Sequence, residues 1–121
     1  MAKNMEISLL FDFYGDILTE KQQNMIQYYY NEDLSLAEIA ENEGITRQGV
    51  RDSIKRAETQ LIEMEERLGL VRRFYQIKEG LEKIQIAARE IKEVNSRIGC
   101  SKEIDEKASF IMDASRRLCE I

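Results

Sequence analysis

Residues Ser35 to Leu61 constrain this chain more than any other stretch. Ser35 and Glu38 form a Ser-x-x-Glu capping box, which satisfies two orphan amides at a helix start, and Leu34 and Ile39 flank it at staple positions. A helix of about two turns from Leu36 to Glu43 follows, and Gly44 stands where a left-handed residue ends it. Thr46 caps a second helix, with Ile45 and Val50 as another staple pair. Small Ala40 lets the two helices approach closely. Ile39, Ile45, Val50, Ile54, Ala57 and Leu61 form the inward face. This is the layout of a helix-turn-helix.

In that motif the start of the second helix enters the major groove. Arg47, Gln48, Arg51, Asp52 and Lys55 fall on its outer side. Arg and Gln suit bidentate readout of guanine and adenine edges. Thr46, Arg47, Gln48, Arg51, Lys55 and Arg56 are therefore the candidate nucleic-acid-binding residues. The plainer alternative is a tight antiparallel helix pair that binds nothing, since fold alone does not establish binding.

Charge opposes the DNA reading. The net charge is −5. Residues 1–68 hold seven Lys/Arg against fourteen Asp/Glu, whereas residues 69–121 hold eleven against nine. Phosphate neutralisation supplies most nucleic-acid affinity, so a basic footprint is the expected sign. Only Thr46–Arg56 is locally positive, with Asp52 as its one carboxylate. Such a narrow strip implies weak binding, or binding by a dimer.

The rest of the chain reads as helix, with no Pro and no Trp among its 121 residues. A first helix spans Glu6 to Tyr14, with Ile7, Leu10, Phe11 and Tyr14 as its apolar stripe and Gly15-Asp16 as its stop. Thr19 and Gln22 open a second helix, which carries Met25, Ile26 and the run Tyr28-Tyr29-Tyr30. Three successive helical residues point three ways, so the tyrosines suit core packing better than a base-stacking platform. Asn31-Glu32-Asp33 is a polar loop.

The helix that opens at Thr46 runs on through Met64 and Leu68 to a break or kink at Gly69. A heptad seam follows: Leu70, Phe74, Ile77, Leu81, Ile84, Ala88, Ile91, Asn95 and Ile98. Asn95 is at an a-type position, where one polar residue sets register unless the helix already frays there. Gly99-Cys100 makes a turn. Ser101 caps a last helix striped by Ile104, Ala108, Ile111, Ser115 and Leu118. By helical rise that helix is about 28 Å long against about 43 Å for Leu70–Ile98. The part near Leu70–Ile84 is then left to the N-terminal domain or to a second copy, and a homodimer through the Leu70–Ile98 helix is expected.

The expected fold is all-α: a helix-turn-helix domain over 1–68, then a long-helix hairpin extension over 69–121. Cys100 and Cys119 read as reduced thiols, since a helix between them separates their ends by roughly 28 Å. With no His and two Cys, the usual soft zinc sites are excluded within one chain. No cofactor is expected. No stretch approaches the ~20 apolar residues of a membrane span, and no signal peptide opens the chain, so cytoplasmic residence is the default. A catalytic role has little support: there is no Gly-rich phosphate loop and no nucleophile with an evident base. Asp12, Asp16, Glu38, Glu41 and Glu43 read as solvated faces and caps.

Three blocks point further. They are Leu9-Leu-Phe-Asp-Phe-Tyr-Gly-Asp-Ile-Leu-Thr-Glu-Lys-Gln-Gln, Tyr28-Tyr-Tyr-Asn-Glu-Asp-Leu-Ser-Leu-Ala-Glu-Ile-Ala and Thr46-Arg-Gln-Gly-Val-Arg-Asp-Ser-Ile-Lys-Arg-Ala-Glu. In order and spacing they resemble the YlxM, or p13-like, proteins of Gram-positive bacteria over roughly residues 6–84. The segment is similar, more distantly, to region 4 of sigma factors. The resemblance implies a sigma-region-4-like, dimeric helix-turn-helix protein. Genes of that family commonly neighbour those of the signal recognition particle GTPases. The implied role is therefore accessory or regulatory, with that GTPase, signal recognition particle RNA or DNA as partner. A dimeric DNA-binding transcriptional regulator is the alternative. Members usually carry an aromatic residue directly after the recognition-helix valine; here Arg51 stands there, which makes the helix more basic.

Overall fold

A computed structural model describes residues 2–120, all-α and without a strand among them. Its helices are α1 (Glu6–Tyr14), α2 (Glu20–Ile26), α3 (Leu36–Glu43), α4 (Arg47–Leu68), α5 (Leu70–Ile98) and α6 (Lys102–Cys119). A short 3-10 turn, Gly15–Ile17, follows α1, and a π-type turn, Gln27–Asn31, follows α2. The chain divides into two compact units, Met1–Val71 and Arg72–Ile121.

The expected caps form. Thr19 Oγ1 accepts from Gln22 N, and the Gln22 side chain accepts from Thr19 N. Ser35 and Glu38 make the same reciprocal pair. Gly44 adopts φ 68°, and its amide bonds back to Ala40 O. No Cβ contact restricts Gly44, so left-handed backbone is what selects glycine there. Gly69 does the same at the end of α4, with φ 63°.

Within the first unit, α1, α2 and α3 all pack against α4. Val50, Ile54, Ala57 and Leu61 lie on one line of α4 and are fully buried, among Ile7, Met25, Ile26 and Ile39. Burial of Val50, Ile54 and Leu61 is worth about 1.5–3 kcal/mol each, which makes α4 the spine of the unit. Met64 is half-buried, and Leu68 is exposed beyond the core.

The tyrosine run departs from a regular helix. The backbone widens into the π-type turn, where Glu32 N bonds to Gln27 O. Tyr29 becomes buried while Tyr28 and Tyr30 stay half-buried, so none of the three points freely into solvent. Tyr30 Oη donates to Glu58 Oε1 at 2.8 Å and accepts from Asn4 N, tying the turn to α4 and to the N-terminal segment. Lys3 pairs with Asp33 and lies over the Tyr29 ring. The run is a core and anchoring feature, as its helical spacing suggested.

In the second unit α5 and α6 form a hairpin. Cys119 Sγ reaches Lys78 O, so α6 runs back along α5 as far as Lys78. The heptad seam read from sequence is split. Phe74, Leu81, Ala88 and Asn95 are wholly or partly buried, whereas Leu70, Ile77, Ile84, Ile91 and Ile98 are exposed. The open surface is thus a lateral face along the whole of α5, not its N-terminal part alone. At Asn95 α5 is still regular helix, and the side chain is buried at the turn end of the hairpin. Its Nδ2 donates to Ser101 O at 2.8 Å and its Oδ1 accepts from Ser101 N at 3.0 Å, clamping the turn between α5 and α6. Cys100 is exposed and Cys119 half-buried; both are free thiols.

Candidate nucleic-acid interface

The site is the first three turns of α4. Thr46 has extended backbone, and its Oγ1 accepts from Gly49 N at 3.0 Å. A Cβ on Gly49 would stand 3.2 Å from that oxygen, which accounts for glycine at the third helical position. The Thr46 hydroxyl oxygen is therefore committed to the helix, and its role is to fix where α4 begins.

Arg47, Arg51 and Lys55 follow at four-residue steps and form one exposed stripe. Arg56 lies one position further round. With Lys55, Thr59 and Gln60 it lines a shallow depression of about 350 Å³. None of Arg47, Arg51, Lys55 and Arg56 forms an ion pair among the described residues. Gln48 is exposed, but its Nε2 donates to Asp52 Oδ1 at 3.0 Å, so it must leave Asp52 before donating elsewhere.

Thr59 and Gln60 were not among the residues expected from sequence. The stripe itself was the available signal, since Thr59 continues it by one more four-residue step. The Thr59 hydroxyl donates to Lys55 O at 2.9 Å, which leaves its oxygen facing the depression as an acceptor.

Electrostatics set α4 apart. The first turns of α1, α2, α3 and α6 each carry an acidic residue, which complements the positive end of a helix dipole. The first turns of α4 and α5 have none; the start of α5 has the Glu65 carboxylate on its Val71 amide, whereas that of α4 carries Arg47. An uncompensated helix N-terminus with a cation beside it attracts anions. Across the turn, α3 carries Glu38, Glu41 and Glu43 and no cation. In helix-turn-helix docking the first helix crosses the phosphate backbone, and here it would bring three carboxylates there.

Among the described residues no helix is long and apolar enough to cross a membrane, and no group of Cys, Asp or Glu has a metal-binding arrangement.

Comparison with known proteins agrees with this geometry. The family model "Putative helix-turn-helix protein, YlxM / p13 like" matches residues 1–100. A UPF0122 protein of Desulforamulus reducens is 54% identical over 81 residues, covering 67% of this chain and 69% of its own. UPF0122 protein CPE1714 of Clostridium perfringens is 44% identical over 117 residues, covering 94% and 100%. A UPF0122 protein of Acetivibrio thermocellus is 42% identical over 121 residues, covering 100% and 97%. The likeness thus continues past Ile84, where sequence reading placed its end, into the α5–α6 hairpin. With caps, glycine turn and inward-facing α4 core in place, and with these relatives matched, the chain belongs to the YlxM / p13-like family of helix-turn-helix proteins.

Proposed function

We propose that this chain is a non-catalytic accessory or regulatory protein of the signal recognition particle pathway, using α4 to engage a polyanion and working as a homodimer through α5. The observation that carries the reading is the set of exposed cations Arg47, Arg51, Lys55 and Arg56 on α4, without ion pairs among the described residues and beside a helix start that has no acidic residue. The carboxylates of α3 favour a target that α4 meets alone over a duplex straddled by both helices. Signal recognition particle RNA is such a target, and the particle's GTPase is the protein partner the family resemblance implies.

A second reading is a dimeric transcriptional regulator that contacts duplex DNA in a sigma-like manner. Arg47, Gln48 and Arg51 favour it, because these side chains read base edges at a helix start.

Fluorescence anisotropy at two salt concentrations separates the readings. The probes are random duplex DNA, signal recognition particle RNA and the purified GTPase. The first reading expects binding to RNA or GTPase at physiological salt and none to duplex DNA. The second expects a steeply salt-dependent DNA complex. Binding to none of the three overturns both.

A further inference from the structure

The exposed face of α5 carries its own heptad pattern, distinct from the one α6 covers. Ile77, Gly80, Ile84, Ala87, Ile91, Val94 and Ile98 recur at steps of three and four, and all are exposed. Large and small residues alternate along it without exception. Ile84 and Ile91 remain 49% and 48% exposed and Ile98 83%. Ala87, Ile91, Val94 and Ile98 border a groove of about 560 Å³ that is shared with Ile104 of α6. Gly80 sits in mid-helix, where glycine costs about 1 kcal/mol relative to alanine. A Cβ there would meet nothing within 4 Å, so the hairpin itself supplies no reason for it.

We infer that this face binds the same face of a second copy, with the two α5 helices antiparallel and Ile84 of each packed on Ala87 of the partner subunit. The inference rests on the dimeric reading above and adds orientation and register to it. In antiparallel packing, a-type positions face d-type positions. Ile84 on the partner's Ala87 places Ile91 on the partner's Gly80 and Ile77 on the partner's Val94. Every isoleucine on these layers then meets a smaller residue, and Gly80 gains its reason as the point of closest approach.

Charge selects the same register. The positions flanking this seam away from α6 are Gln76, Lys83, Glu90 and Arg97. The proposed register sets Lys83 beside the partner's Glu90, and by symmetry Glu90 beside the partner's Lys83. A slip of one heptad either way brings Lys83 onto the partner's Lys83 or Glu90 onto the partner's Glu90. Like charges in such positions suppress the wrong pairing. A parallel pair would set Lys83 towards the partner's Ala88, which is buried in its own hairpin, and would lose both charge pairs. Within one chain Lys83 is 3.3 Å from Glu79 Oε1, an exposed pair of little consequence. Glu90 has no ion pair among the described residues.

The test is sedimentation equilibrium on the full chain without nucleic acid, so its outcome is independent of what α4 binds. The wild type is expected to be dimeric at micromolar concentration. Lys83→Glu and Glu90→Lys should each raise the dimer dissociation constant by roughly tenfold. The double variant should return it to within about threefold of the wild type. In that variant Glu79 still repels the carboxylate introduced at position 83, so recovery reports a contact between chains. Gly80→Leu should keep or raise helix content by circular dichroism while weakening the dimer. A monomeric wild type overturns the dimer itself. A dimer whose affinity is unmoved by the single charge changes, is not restored by the double change, or is tightened by Gly80→Leu overturns the orientation alone.

Discussion

Tyr14 and Glu65 meet across 51 positions of sequence, the phenol donating to Glu65 Oε1 at 2.6 Å. The same two atoms receive the first amides of α5. Leu70 N donates to Tyr14 Oη and Val71 N to Glu65 Oε1, each at 3.1 Å. No serine or threonine caps α5; Gly69 turns the chain in left-handed backbone and the core of the first unit supplies the acceptors. Burial, with the Glu65 carboxylate beside it, holds the Tyr14 phenol above its ordinary pKa.

Tyr14→Phe keeps the ring in the core but orphans the Leu70 amide. It is expected to cost about 1–2 kcal/mol in urea unfolding, with faster hydrogen exchange at Leu70. Unchanged exchange there would show that the α5 start is held by other groups.

Alkaline pH should weaken the first unit. Burial, with Glu58 beside it, pushes the Tyr30 phenol up to about 12, even though the Asn4 amide pulls it down. Below an unfolded value near 10.0 both states hold the proton, and Tyr30 contributes no slope. Above it the unfolded chain ionises first, so stability falls as pH rises towards about 12. Tyr14 acts in the same direction. The urea midpoint should therefore be insensitive to these groups between neutrality and roughly pH 9, then drop. Tyr30→Phe should flatten part of the drop, and an undiminished slope in that variant would exclude Tyr30 as its source.

Asn95 is the corresponding point in the hairpin. Asn95→Ala removes both hydrogen bonds to Ser101 and should cost roughly 2 kcal/mol. The Ser101 amide should lose its exchange protection. Asn95→Asp retains the acceptor and should keep more of that protection than alanine does. Equal protection in all three proteins would mean that the turn does not depend on this side chain.

At the α4 interface, Arg47→Ala and Arg51→Ala should each lower the salt slope of polyanion binding by about one. Asp52→Asn should do the opposite to affinity, because it removes the one carboxylate in the basic strip and weakens the acceptor that holds Gln48. A neutral or weakening effect of Asp52→Asn would place the contact surface elsewhere.

Features decided within a few residues were legible in the sequence. The capping pairs at Thr19 and Ser35, the left-handed Gly44 and the break at Gly69 all depend on local backbone chemistry. So did the exposure of Arg47, Arg51, Lys55 and Arg56, which follows once Val50, Ile54 and Ala57 face the core. The π-type turn was not legible, because its anchors, Glu58 and Asn4, lie 28 and 26 positions from Tyr30. The two faces of α5 were merged for a related reason. Phe74 and Ile77 are equally apolar, and only the path of α6 decides which line is covered. Asn95 showed its heptad position in sequence, but not the backbone of Ser101 that it holds.

The packing of α1, α2 and α3 on α4 bears on the order in which the chain can fold during synthesis. The segment up to Thr46 emerges as three short amphipathic helices whose common surface has not yet been made. Their apolar faces stay without a core until Val50, Ile54, Ala57 and Leu61 follow. The acceptor for the last link, Glu65 to Val71, comes later still. A nascent chain truncated before α4 is therefore expected to be a substrate for chaperones and proteases rather than a folding intermediate, and the unit forms in one late step.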